Sequence, residues 1–98
     1  EQSVNLAPES VSVLDTRGMV LLRAGQKVDA WKVAYEAFKL SKGRDNNISL
    51  NYAEVLIANK QNKDALAVLD SLKLEGIDLI ERQKRLELMA KGSIKKAR

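Results

Sequence analysis

The side chains able to do chemistry are few in this chain. Its 98 residues include no cysteine and no histidine, which removes thiolate nucleophiles, imidazole bases, disulfides and the usual zinc ligands together. The carboxylates Asp15, Glu54 and Asp64 do not fall into a metal-ligand run, and no glycine-rich phosphate loop is present. The sequence therefore assigns no catalytic residue, no metal and no cofactor, and the expectation is a protein that is not an enzyme. Two other groups invite a binding role. Trp31, Tyr35 and Phe38 are spaced by four and three, which on a helix reads as packing for Tyr35 and Phe38, with Trp31 off the most buried stripe. Lys91 to Arg98, preceded by Arg82, Lys84 and Arg85, forms a basic end that can meet phosphate or an anionic surface. It lacks interleaved aromatics and any nucleic-acid motif, so it reads first as a solvated helix end.

The charge balance points the same way. The net charge is +4, yet residues 1–80 carry 10 Lys/Arg against 11 Asp/Glu and residues 81–98 carry 7 against 2. The body is neutral and only the end is basic, so nucleic acid is not the expected partner. At this length, with 45% apolar residues, the chain makes one small domain without room for a large buried catalytic cavity. No apolar run approaches the roughly 20 residues of a membrane-spanning helix. The N-terminus lacks a signal-peptide profile, and the composition leaves cytoplasm and periplasm equally open.

The elements that must position any site are helices. Residues 1–7 show no periodicity and read as a loose segment. Val11, Leu14, Gly18, Leu21 and Leu22 recur at helical spacing, which predicts a helix over 9–24, with Pro8 at its start and Gly25 suited to the left-handed turn beyond it. Val28, Trp31, Ala34, Tyr35, Phe38 and Leu40 predict a second over 28–41, antiparallel to the first because the link is short. Asp45 or an adjacent Asn caps a third, over 47–58. A fourth spans 63–74, and a fifth spans 78–91 with one apolar and one polar side, as the end of a stacked array requires. Residues 92–98 read as a frayed basic tail.

Two of these stretches echo one another. Gly18, Val20, Leu21, Leu22, Gln26, Asp29 and Ala30 align with Ala53, Val55, Leu56, Ile57, Gln61, Asp64 and Ala65 at one offset of 35 residues, and every pair is small, apolar or identical. The pattern resembles the tetratricopeptide repeat, a helix-turn-helix unit of about 34 residues. Leu14, Gly18, Leu21, Ala30 and Ala37 carry the resemblance in repeat one, and Tyr52, Ala53, Leu56, Ala65, Leu69 and Leu72 in repeat two. Arg17, at a position usually apolar, and Lys42, in place of the repeat-ending proline, depart from it. The resemblance implies an all-α fold of antiparallel helix-turn-helix units, 8–44 and 45–75, with a capping helix 77–91, wound as a right-handed α-solenoid. Pro8 falls on the repeat-ending proline of a preceding unit, which implies the C-terminal part of a longer array. Val13 to Thr16 is also similar to repeats common in bacterial arrays, including envelope proteins of polysaccharide export.

That resemblance further implies a protein–protein interaction scaffold whose inner face comes from the first helix of each repeat. Mapped by the offset, the partner groove takes Asp15, Met19, Leu22 and Arg23 from one repeat and Leu50, Glu54, Ile57 and Ala58 from the other. It would hold an extended or helical peptide, with Met19 as an adaptable contact. The competing reading has Met19, Leu22, Leu50 and Ile57 packing against neighbouring helices. Some family members clamp a partner's C-terminal carboxylate with Lys and Asn on this face. Asp15 and Met19 stand there instead, and Asn51 alone does not restore the clamp. Two repeats are fewer than such arrays need alone, which raises homo-oligomerisation through the N-terminal stacking face. The alternative function is a basic-tailed helical domain that binds nucleic acid or an acidic surface, and a third is a structural end-cap.

Overall fold

The structure, a computed structural model, describes the backbone of residues 8–96 and the side-chain surroundings of residues 11–92. The chain is all-helical: α1 Pro8–Arg23, α2 Lys27–Ser41, α3 Asn46–Ala58, α4 Asn62–Asp70 and α5 Ile77–Lys96, with no strand among the described residues. The segment 1–7, read as loose, lies outside the described residues, as do residues 97 and 98.

Local chemistry sets the helix ends. The Asp45 carboxylate accepts the Ile48 amide at 3.1 Å and caps α3, satisfying one of the amides that a helix start leaves unpaired. No side chain caps α2, which instead has Asp29 in its first turn and Lys39 in its last, the arrangement its dipole favours. Lys42 and Gly43 both turn left-handed, and their amides return to the Lys39 and Phe38 carbonyls, which closes the helix.

The echo in sequence is an echo in backbone. Gly25 has φ +86° and Lys60, at the same offset, φ +64°. Gln26 (φ −91°, ψ 72°) and Gln61 (φ −98°, ψ 62°) follow them. The Gln26 amide donates to the Leu21 carbonyl at 2.9 Å, and the Gln61 amide to the Leu56 carbonyl at 2.8 Å. Each turn thus leads into its second helix through the same backbone conformation. A small residue then meets the crossing in both halves, since Ala30 and Ala65 are fully buried. A Cβ on Gly18 would lie 3.4 Å from the Ala34 amide nitrogen and 3.6 Å from the Ala30 carbonyl oxygen, so α1 and α2 approach closely there.

Successive helices pack on one another, and α1, α3 and α5 also touch in series, whereas α2 and α4 make no contact among the described residues. Helix α3 lies in the middle of the molecule. Leu50, Val55 and Leu56 from it join Leu69 of α4 and Leu86 of α5 in one buried cluster, each side chain contributing about 1.5–3 kcal/mol of burial.

Two boundaries differ from the expected ones by more than one residue. Helix α4 ends at Asp70 rather than 74, because Ser71 turns its hydroxyl onto the Val68 carbonyl at 2.7 Å and the Leu72 amide reaches back to Leu69. Leu72 and Leu74 still pack on the core from the non-helical segment that follows, which is why the apolar periodicity outruns the helix. Helix α5 continues through Gly92 to Lys96, so most of the stretch 92–98 is helix rather than frayed tail. Glycine ends a helix where the chain turns left-handed, and Gly92 is not among the positive-φ residues.

Candidate functional site

On the face that α1, α3 and α5 share, four side chains form one polar chain. Asp15 stands midway along α1, half-buried, and both its oxygens accept from Asn51 Nδ2 of α3, at 3.0 and 2.9 Å. The Asn51 side-chain oxygen Oδ1 accepts in turn from Arg82 Nη2 of α5 at 2.6 Å. That guanidinium nitrogen also donates to Glu54 Oε1 at 2.9 Å. Asn51 and Glu54, three apart on α3, lie on one face of it by helical spacing, so a single Arg spans both. The amide accepts from a cation on one side and donates to an anion on the other, an order in which each bond polarises the next.

The electrostatics follow from that burial. Desolvation raises the Asp15 carboxyl above its ordinary value and the nearby Asp45 adds to this, against the lowering effects of the Asn51 hydrogen bond and of Arg82. Arg82 reaches the Glu54 carboxylate directly and Asp15 only through the Asn51 amide. Beside it, Asp15, Thr16, Met19, Val20, Arg23 and Asn51 line a shallow depression of about 280 Å³. An acidic floor and an exposed cation, Arg23, thus flank an apolar thioether.

Of the residues expected at a groove, Asp15, Met19 and Arg23 come together around this depression. Glu54 lies across Asn51 on Arg82. Met19, Leu22 and Ile57 are partly buried and pack against the core cluster, and Ala58, also partly buried, closes α3. Leu50 is 0% exposed and contributes to the core rather than to any surface. Arg82, read as one cation of a solvated polar face, instead ties α5 to α3, and through Asn51 to Asp15 of α1. Its signal was the spacing Leu79, Arg82, Leu86, Ala90, which puts it on the inward stripe of α5.

Of the three aromatic residues of α2, Phe38 packs as expected and Tyr35 is more exposed than expected. Trp31 is partly buried against the core and stacks on Tyr35 at 5.4 Å between centroids, with rings 4° from parallel. Tyr35 is 39% exposed, and Phe38 stacks on Tyr52 of α3 at 4.7 Å. Burial raises the Tyr52 hydroxyl above its ordinary range, as its place between two helices requires. Among the described residues no group of three or more Asp, Glu, His or Cys side chains could hold a metal ion. Among them too, no helix is long and apolar enough to cross a membrane. No protein-family model, curated protein or solved structure matches this chain.

Proposed function

We propose that the chain is a protein–protein interaction scaffold in which two tetratricopeptide-like helical pairs and a capping helix form a right-handed α-solenoid. The α1/α3/α5 face is the surface it offers to a protein or peptide partner. The observation that carries this reading is the lateral contact of the first helices, α1 with α3 and α3 with α5, without contact between α2 and α4. That arrangement makes one continuous face from residues widely spaced in sequence. The two near-identical turns support the repeat, because a common turn geometry is what lets units stack with a constant rotation.

The depression beside Asp15 suits a peptide that brings a hydrogen-bond donor to the carboxylate and an acceptor to Arg23. Thr16 and Arg23 are exposed, so changing them leaves the core intact. Peptides selected from a random display library against the folded domain should lose roughly tenfold or more in affinity on Arg23→Glu and on Thr16→Arg, with thermal unfolding unchanged. Selected peptides that ignore both changes overturn the reading.

A second reading draws on α5, whose exposed Lys84, Arg85 and Lys91 surround the exposed Leu88 and Met89. Such a helix suits an anionic surface or nucleic acid. It requires binding that falls steeply with salt and that disappears in Lys84→Glu/Arg85→Glu, changes to which the first reading is indifferent.

A further inference from the structure

The internal repeat identifies a second docking surface, on the outer side of α1. Along α3 and its C-cap, Ile48, Tyr52, Val55 and Asn59 form a stripe at spacings of four and three, and α2 packs on it at Tyr52 and Asn59. Tyr52 stacks on Phe38 and lies 6.0 Å from Tyr35, and Asn59 Nδ2 donates to the Lys27 carbonyl at 3.0 Å. Ile48 is 5% and Val55 0% exposed. The counterparts one offset earlier are Val13, Arg17 and Val20 on α1 and Ala24 just beyond its end. All four are exposed, Val13 at 56% and Val20 at 60%. Ser12, Val13, Thr16 and Arg17 line a shallow depression there. The same register that holds a helix on α3 is therefore uncovered on α1, among the described residues.

We infer that this face receives an amphipathic helix of a partner protein, and that the helix carries a carboxylate opposite Arg17 between small or apolar residues. Arg17 decides the chemistry. Its counterpart Tyr52 is met by the rings of Phe38 and Tyr35, but a guanidinium flanked by two valines calls for an anion that enters the apolar contact with it. A second copy of this chain fits poorly. Two α1 faces brought together across a two-fold axis set Arg17 against Arg17. The other exposed apolar stripes are also interrupted by cations, Lys32 between Val28 and Tyr35, and Lys84 with Arg85 beside Leu88 and Met89. The proposal centres on Val13 and Arg17, which do not line the depression beside Asp15, although Thr16 and Val20 border both surfaces.

A synthetic peptide covering residues 27–42 tests it, because α2 is the helix that already fits this register. Its F38E form sets a carboxylate where Phe38 meets Tyr52, hence opposite Arg17, and its F38K form sets a cation there. In a titration of the isotope-labelled protein followed by NMR, F38E should shift amides centred on residues 13–20 and bind about fivefold or more tightly than F38K. Arg17→Glu in the protein should invert that order, and Val20→Asp should abolish both. Shifts centred elsewhere or absent, an order unchanged by Arg17→Glu, or a concentration-dependent dimer that Val20→Asp dissolves would each overturn it. Failure of the depression reading would instead appear in the Arg23→Glu variant, which lies off this stripe and leaves this peptide's binding intact.

Discussion

Asn51 Nδ2 holds both carboxylate oxygens of Asp15, at 3.0 and 2.9 Å, across 36 positions of sequence. Even so, burial keeps the Asp15 carboxyl above its ordinary 3.8. The fold thus favours the protonated form. Asp15 stabilises the protein fully below the unfolded-state value, and that contribution is lost as pH rises through the higher folded-state value. Asp15→Asn removes the dependence while leaving an oxygen to accept from Asn51. Denaturant midpoints taken in steps from about pH 3 to pH 7 should show the variant gaining on the wild type above the ordinary carboxylate value and then levelling. A gap that closes with rising pH would mean that the hydrogen bond outweighs desolvation.

The paired turns give a cleaner energetic test. Gly25 and Lys60 occupy equivalent left-handed positions, and a Cβ on Gly25 would meet nothing within 4 Å. Only backbone strain then distinguishes glycine from another residue there. Gly25→Ala should cost about 1 kcal/mol, and Lys60→Gly should return up to about that amount. Urea unfolding of the two single variants and of the double variant should give additive changes, since the sites share no partner. A stabilising Gly25→Ala would contradict the turn geometry.

How much of this was legible in the sequence depends on what each residue answers to. The starts and stops of α1, α2 and α3 follow local rules, a proline, a left-handed glycine and an Asp cap, and were readable to within a residue or so. The end of α4 was not, because Leu72 and Leu74 continue an apolar rhythm from outside the helix. The groove residues were mapped by an offset that treats the two repeats as equivalent. Leu50 shows where that fails. Asp15 sits on a helix flanked on one side, whereas Leu50 sits on the central helix, where α1, α2, α4 and α5 all make contact. The number of helices packed around each position, which no local stretch encodes, decided which of the two was buried. Arg82 was missed for the same reason, since its partners come from another helix.

Close approach at Gly18 separates a small addition from a large one. The nearest atoms to a Cβ there are 3.4 Å or more away, an ordinary contact. Gly18→Ala should therefore stabilise by up to about 1 kcal/mol through helix propensity. Gly18→Leu should destabilise by about 1–3 kcal/mol or more through overpacking. Ala30→Leu and Ala65→Leu, at fully buried positions, should behave like the second. Equal denaturant midpoints for Gly18→Ala and Gly18→Leu would show that α1 stands further from α2 than described.

Whether α5 belongs to the same cooperative unit is decided at Leu86. It is 3% exposed and shares the core cluster with Leu56 and Leu69, while Gln83 Nε2 donates to the Leu69 carbonyl at 2.7 Å where α4 ends. A helix so joined to the core should not unfold by itself. Leu86→Ala should cost about 2–5 kcal/mol, comparable to Leu56→Ala. The loss should also appear as one transition, with helical circular dichroism and Trp31 fluorescence coinciding. Trp31 reports from α2, remote from α5 in the chain, so its response distinguishes a global loss from a local one. If α5 were merely appended, the dichroism would fall first while Trp31 emission held, and amide exchange in residues 77–92 would quicken without change in α3.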